Sequence, residues 1–118
     1  MTVTSRGLYA YLTILTGNRA GTNFALDARR KTLIGRGTDC HISLPDPLCS
    51  RVHATLSCTP DGWIVRDAES RNGTLVNDRV VNQQTALRPG DWIRLGPGGP
   101  VLRFLGETTG LKKRITTA

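Results

Sequence analysis

Three short segments of the sequence combine arginine with glycine and with small hydroxyl or amide residues. They are residues 34–37 (IGRG), 49–54 (CSRVHA) and 69–74 (ESRNGT). A phosphate monoester carries about −1.5 to −2 charges near pH 7 and three strong acceptor oxygens, so its binding site needs cations and hydroxyl or backbone donors. Arg36, Ser50 and Arg51 supply that combination. If the fold brings the three segments together, they predict a site for a phosphate group.

The charge of the chain also favours an anionic partner. Lys and Arg number 16 against 9 Asp and Glu, the formal net charge is +7, and 13 of the 16 basic residues are arginine. The planar guanidinium group suits bidentate recognition of phosphate or carboxylate. Charge alone does not separate a nucleic acid from a phosphorylated peptide.

Short strands are the elements that must position these segments. Residues 9–15 alternate, with Ala10, Leu12 and Ile14 on one face and Tyr11 and Thr13 on the other. Similar short runs, each followed closely by a turn residue, are at 23–26, 31–34, 42–44, 54–58, 63–66, 75–76, 79–81, 91–95 and 101–105. No segment has the sustained 3.6-residue period of a helix. The pattern predicts an all-β fold, an antiparallel β-sandwich or barrel with its functional residues on loops at one end.

The length of 118 residues fits a single domain. The strand pattern places that domain at 9–105, and we expect residues 1–8 and 106–118 to be flexible tails. No apolar run reaches the roughly 18 residues of a membrane helix, and the N-terminus lacks the pattern of a secretory signal. We therefore expect a cytoplasmic protein without a membrane partner.

The sequence contains no pattern typical of a metal or cofactor site. Cys40, Cys49 and Cys58 recur every nine residues, which matches neither a zinc motif nor a disulfide framework. Neither a dinucleotide-binding glycine motif nor a P-loop occurs. A catalytic role for His53 would need a neighbouring nucleophile or acid, which the sequence does not place beside it. We predict no metal, no cofactor and no catalytic residue, and thus a binding protein that is not an enzyme.

The order of the motifs resembles the forkhead-associated (FHA) domain family. That family is marked by Gly-Arg, then Ser-x-x-His, then Asn-Gly with a later Asn. The matching residues here are Gly35, Arg36, Ser50, His53, Asn72, Gly73 and Asn77. The resemblance extends over residues 9–105, nearly the whole chain.

This resemblance implies a two-sheet antiparallel β-sandwich of about eleven short strands that binds an extended phosphothreonine peptide through the loops at one end. By position, Arg36 would contact the phosphate through its guanidinium group and Ser50 through its hydroxyl. Arg51 would contact it through its backbone amide or side chain. Asn72 would hydrogen-bond the peptide backbone. Arg71, at a position where some relatives have Ser or Thr, would either face acidic residues of the peptide or project into water.

Four further matching residues are expected to support the loops. Gly35 would allow a close approach of two backbones, and His53 would hold two loops together by hydrogen bonds. Gly73 and Asn77 would support the turns in which they lie. Leu48 departs from the pattern, because some relatives have a charged residue there that selects the peptide sequence.

The expected function is a phosphothreonine-dependent interaction module in signal transduction. Its partner would be a phosphothreonine-containing protein or peptide, such as a Ser/Thr kinase or a kinase substrate. Two alternatives remain open, a basic β-domain that binds nucleic acid and a scaffold of the same fold that has lost its ligand. Aromatic residues make up only 5% of the chain, and this shortage of groups for base stacking disfavours nucleic-acid binding. The basic run at 112–114 favours it.

Overall fold

Eleven short strands form within the described part of the chain. The computed structural model describes residues 9–108. In chain order the strands are β1 (Tyr9–Ile14), β2 (Asn23–Asp27), β3 (Thr32–Gly35), β4 (Ile42–Ser43), β5 (Ala54–Thr59), β6 (Gly62–Asp67), β7 (Thr74–Val76), β8 (Arg79–Val80), β9 (Gln84–Ala86), β10 (Trp92–Leu95) and β11 (Val101–Thr108). None of the described residues forms a helix that is long and apolar enough to cross a bilayer.

The strands form two sheets that pack face to face. The six-stranded sheet has the order β2-β1-β11-β10-β7-β8, and the five-stranded sheet has the order β4-β3-β5-β6-β9. Neighbouring strands are antiparallel except for β3 and β4, which are parallel. The predicted all-β sandwich of eleven strands is therefore confirmed, with one parallel pair added, and the barrel alternative is wrong.

The core lies between the inward faces of the two sheets. Along β1, the side chains of Ala10, Leu12 and Ile14 are at most 1% exposed, as their alternation predicts. Trp63 of the five-stranded sheet and Phe104 of the six-stranded sheet meet there, with ring centroids 6.3 Å apart. Complete burial of a large apolar side chain contributes roughly 1.5 to 3 kcal/mol. The core thus fixes both sheets and, with them, the loops at their ends.

Two elements differ from the sequence prediction. Strand β9 was not predicted, because Gln84, Thr85 and Ala86 form an edge strand that buries little apolar surface. Strand β11 continues to Thr108, three residues beyond the predicted boundary at Leu105, because its last residues pair with β1. The rest of the predicted tails, 1–8 and 109–118, lies outside the described residues, as does the basic run at 112–114.

A tight turn at Asn77 and Asp78 joins β7 to β8, as their sequence predicts. Both residues have positive φ angles, 50° and 69°, which Asn and Asp tolerate better than most residues. The Asn77 side chain also ties the turn to the next strand. Its Nδ2 donates to Asp91 Oδ1 at 2.9 Å, and its Oδ1 accepts from the backbone nitrogen of Trp92 at 3.0 Å. Asn77 therefore stabilises the C-terminal end of β7, whereas residues 72 and 73 precede the N-terminal end of this strand.

Substituting the two turn residues separates backbone strain from hydrogen bonding. Asn77→Ala combines a positive φ at alanine with the loss of two hydrogen bonds, so we expect it to lower the free energy of unfolding by about 2 to 4 kcal/mol. Asp78→Ala introduces only the backbone strain and should cost about 1 to 2 kcal/mol. Urea denaturation of both variants measures the difference. Equal losses would show that the Asn77 hydrogen bonds contribute nothing to stability.

Candidate functional site

Three loops at one end of the sandwich enclose an open cleft of about 270 Å³. The loops follow β3, precede β5 and connect β6 to β7. The cleft is lined by Arg36, Pro47, Leu48, Cys49, Ser50, Arg51, Arg71 and Asn72. All five residues that the sequence predicts as peptide ligands therefore lie in one cleft. Of the four predicted supporting residues, three adjoin its loops and Asn77 lies at the far end of β7.

The first loop lies directly against the second. Gly35 ends β3 where a β-carbon would overlap the carbonyl oxygen of Arg51, so only glycine fits without a shift. The backbone nitrogen of Arg36 donates to the carbonyl oxygen of Ser50 at 2.8 Å. The backbone nitrogen of Gly37 donates to the carbonyl oxygen of Arg51 at 2.9 Å. This contact sets the distance between Arg36 and the two residues opposite it.

The guanidinium group of Arg36 is held by one of its three nitrogens. Its Nε donates to the carbonyl oxygen of Cys49 at 3.0 Å. The terminal nitrogens Nη1 and Nη2 have no hydrogen-bond partner among the described residues. A guanidinium group fixed in this way presents a preformed pair of donors to an anion in the cleft.

Ser50 is anchored on both its backbone and its side chain. Its backbone nitrogen donates to Nδ1 of His53 at 3.0 Å, and its Oγ accepts from the backbone nitrogen of Arg71 at 2.9 Å. Because that contact uses Oγ as an acceptor, the hydroxyl hydrogen remains for a second oxygen. Ser50 thus joins the second and third loops and still offers a donor to the cleft.

His53 links the same two loops from beneath the cleft. The side chain is 0% exposed, and its Nε2 is 2.7 Å from the carbonyl oxygen of Gly73. Since Nδ1 accepts from Ser50, the neutral ring carries its hydrogen on Nε2 and donates it to Gly73. Both ring nitrogens are therefore occupied by structural hydrogen bonds. Gly73 itself has a φ of 84°, a conformation that favours glycine.

The third loop is organised around the carboxylate of Asp67, which the sequence analysis did not select. Its Oδ1 accepts from Ser70 Oγ at 2.5 Å and from Thr74 Oγ1 at 2.7 Å. Its Oδ2 accepts from the backbone nitrogen of Ser70 at 3.1 Å. Burial raises the pKa of this carboxyl, but the hydrogen bonds from Ser70 and Thr74 outweigh burial and hold the pKa below its ordinary value of 3.8. The signal in the sequence is an acidic residue three positions before a serine, a spacing common in turns.

Asn72 connects the third loop to the wall of the cleft. Its Nδ2 donates to the carbonyl oxygen of Leu48 at 2.9 Å, so the amide oxygen is the group left for a ligand. Its Cβ lies 2.9 Å from the position that a β-carbon would take at Gly96. The loop after β10 therefore supports Asn72, a contact that the sequence motifs did not indicate. Leu48 forms part of the wall and is 39% exposed.

The cleft is electrostatically positive. Arg36, Arg51 and Arg71 line it, and none of them has a carboxylate within 4.0 Å among the described residues. Burial, together with Asp46, raises the pKa of the Cys49 thiol to about 11, so this neighbour stays neutral at pH 7. No group of His, Cys, Asp and Glu side chains within 9–108 is arranged to hold a metal ion. The arrangement is chemically suited to holding an anion with several negatively charged oxygens.

Comparisons with known proteins agree on one family. The FHA domain model matches residues 32–96, which include every residue that lines the cleft. The chain is 46% identical over 63 residues to Rv1747 of Mycobacterium tuberculosis, an ABC transporter ATP-binding/permease protein, covering 53% of this chain. It is 39% identical over 72 residues to the FHA domain-containing protein FhaA of the same organism, covering 61% of this chain. These matches cover only 7% and 14% of those two longer proteins.

Solved structures match over most of the fold. The FhaA FHA domain complexed with the intracellular domain of Rv3910 superposes with a TM-score of 0.70 and 32% identity, covering 80% of this chain and 98% of that one. A structure from work on phosphothreonine-dependent FHA domain interactions gives a TM-score of 0.72 and 32% identity, covering 82% of this chain and 95% of that one.

The Asp67 network predicts a pH-dependent contribution to stability. Because folding lowers the pKa of this carboxyl, its contribution is present above the ordinary value of 3.8, which holds in the unfolded state, and is lost as pH falls through the folded-state value. We expect Asp67→Asn to be less stable than the wild type at pH 7, with a gap that narrows below about pH 4. Urea denaturation between about pH 3 and pH 7 measures this gap.

Asp61→Asn is the matched control, since this exposed turn carboxylate accepts no hydrogen bond from another described side chain or backbone group. The free energy of unfolding of Asp61→Asn should differ little from that of the wild type at every pH. If the free energies of unfolding of the wild type and Asp67→Asn differ by the same amount across the pH range, the charged hydrogen-bond network is contradicted.

Proposed function

The chain belongs to the FHA domain family, and we propose that its cleft binds the phosphate group of a phosphothreonine residue in a partner protein. FHA domains are phosphopeptide-binding modules, and this chain is a module of that kind.

One observation supports the assignment of residues to the phosphate. Arg36 and Ser50 are each fixed by a hydrogen bond to the protein, and each keeps a donor that has no partner among the described residues. The two side chains line the same cleft, together with Arg51. Phosphate oxygens accept such charge-assisted and hydroxyl hydrogen bonds without requiring the loops to rearrange. We assign Arg36, Ser50 and Arg51 to the phosphate.

Asn72 is assigned to the backbone of the bound peptide. Because its Nδ2 is engaged with Leu48, its amide oxygen is the atom that would accept from a peptide N–H group. This contact would fix the direction and register of an extended peptide and would add little to recognition of the charge.

The wider role is that of an adaptor that joins proteins after a Ser/Thr kinase has acted. The solved complex of the FhaA FHA domain with the intracellular domain of Rv3910 supports this role, as does EmbR in complex with a low affinity phosphopeptide. We propose that the natural partner is a phosphothreonine-containing kinase or kinase substrate in the cytoplasm, and that binding is the whole activity of this domain.

Arg36→Ala tests the phosphate site. A hydrogen bond to a charged group contributes about 1.5 to 3 kcal/mol, so the variant should bind a phosphothreonine peptide at least about tenfold more weakly while remaining folded. Fluorescence anisotropy at fixed salt measures the affinities, with phosphoserine, unphosphorylated and oligonucleotide probes alongside. We expect saturable binding of the phosphothreonine peptide in preference to the others.

Arg30→Ala is the control for charge. It removes the same net charge from the exposed turn before β3, whereas Arg36 follows β3 at the opposite end. Its affinity should stay within about twofold of the wild type. Unchanged affinity in Arg36→Ala would refute the site, and oligonucleotide binding that is indifferent to Arg36 would favour the nucleic-acid alternative.

Arg71→Gln tests a separate role at the rim of the cleft. The backbone of Arg71 is held by Ser50, while its exposed guanidinium group has no carboxylate partner among the described residues. We expect the variant to lose about threefold to tenfold in affinity for a phosphothreonine peptide flanked by glutamates. Affinity for the same peptide flanked by alanines should change by less than about twofold. An equal loss for both peptides would assign Arg71 to the phosphate instead.

A further inference from the structure

The outer face of the six-stranded sheet carries most of the large apolar side chains that the sandwich exposes. Within residues 9–108, six such side chains are exposed, and four of them, Tyr9, Val80, Trp92 and Leu105, lie on this face. The places of Tyr9 and Trp92 follow from alternation, since each is next to a core residue that points inward. Leu105 lies at the β-bulge opposite Tyr11 and Leu12 and is 45% exposed. An outward strand face normally carries polar side chains, so this concentration is unusual for an unpartnered sheet.

Two arginines lie among these side chains. In the register of the sheet, Arg103 is opposite Trp92, and Arg94 is opposite Leu75, which in turn is opposite Val80. Directly opposite side chains are about 4.5 to 5.5 Å apart at Cβ, so these residues form one continuous surface. We call Leu75, Val80, Trp92, Arg94, Arg103 and Leu105 the cationic apolar face.

Arg103 is held within this face with unsatisfied hydrogen-bonding capacity. Its guanidinium carbon lies 5.5 Å from the centroid of the Trp92 ring, in cation–π contact. Its Nε is buried and has no hydrogen-bond partner in the described part of the chain. Neither Arg94 nor Arg103 has a carboxylate within 4.0 Å among residues 9–108. An approaching carboxylate would therefore find two uncompensated cations on an apolar surface.

The outer face of the five-stranded sheet does not share these properties. Its central strand β5 presents Thr55 and Ser57 outward, and the exposed Arg66 of β6 donates to Oε1 of Gln84 at 3.2 Å. Within residues 9–108, the combination of exposed large apolar side chains with guanidinium groups that lack any carboxylate is therefore found on the outer face of the six-stranded sheet and not on that of the five-stranded sheet. That side shares no residue with the phosphate cleft.

We propose that the cationic apolar face binds an acidic amphipathic helix of a partner protein. A helix with an apolar stripe is a common cover for an open sheet face, and acidic residues beside the stripe would meet Arg94 and Arg103. A second copy of this chain is disfavoured as the occupant, because each copy carries a net charge of +7. The Arg103 contact already occupies one face of Trp92, which leaves less of the indole for a nucleic-acid base.

The test uses the full chain and two defined peptides. One labelled helical peptide of about 18 residues carries leucines at helical spacing with glutamates on both sides, and the other carries lysines in place of the glutamates. By fluorescence anisotropy, the acidic peptide should bind saturably and at least about tenfold more tightly than the basic one. Backbone amide shifts should map to β7, β8, β10 and β11, away from residues 47–51.

Matched variants separate this surface from the cleft. The double variant Arg94→Gln with Arg103→Gln should lose at least about fivefold in affinity for the acidic peptide, and Val80→Ser, at a position that is 65% exposed, tests the apolar part. Arg66→Gln removes a charge from the opposite sheet and should change affinity by less than about twofold. Arg36→Ala should still bind the acidic helical peptide although it loses affinity for the phosphothreonine peptide. Failure of one proposal can therefore be distinguished from failure of the other.

Several results would overturn this inference. They are equal binding of both peptides, the absence of saturable binding, an equal loss in Arg66→Gln, and shifts confined to the cleft. Preferential binding of a single-stranded oligonucleotide to the same face would show that its ligand is a nucleic acid and not an acidic helix. Circular dichroism of the variants checks that any loss of binding comes from the surface and not from unfolding.

Discussion

The buried ring of His53 is the interaction on which the geometry of the cleft most depends. It accepts from the backbone of Ser50 and donates to the backbone of Gly73, two residues that are 23 positions apart in the chain. A buried polar group left without a partner costs about 1 to 3 kcal/mol, so loss of either hydrogen bond would destabilise the fold by about that amount. The ring therefore acts as a rigid spacer between the loop that carries Ser50 and the loop that carries Asn72.

The positive charge of the cleft is maintained by the protein backbone. Backbone carbonyl oxygens, and not carboxylates, hold the Nε of Arg36 and the thiol of Cys40, which donates to the carbonyl oxygen of Arg51 at 3.1 Å. A carbonyl orients a donor without cancelling its charge, whereas a carboxylate would neutralise it. The only carboxylate that organises the third loop, Asp67, is directed to Ser70 and Thr74. The ligand thus meets an Arg36 guanidinium group that is oriented by the backbone and that no carboxylate neutralises, which suits recognition of a charged group.

Much of this structure follows from short-range signals in the sequence. Alternation and short runs ended by turn residues predicted ten of the eleven strands, and three motifs predicted five of the eight residues that line the cleft. Strand β9 was missed because an edge strand of polar residues buries too little apolar surface to show a pattern. The Asp67 network and the support of Asn72 by Gly96 depend on tertiary neighbours, which residue spacing does not encode. The outer-face cluster was missed for the same reason, since it forms only when β7, β10 and β11 pair in register.

The short edges of the two sheets affect how this domain behaves among identical copies. Three of the four edge strands, β4, β8 and β9, contain only two or three residues. An incoming strand could form too few backbone hydrogen bonds with such an edge to stay in place. The sandwich therefore resists templated aggregation through these edges, and several such domains could lie side by side at high concentration while remaining separate folding units.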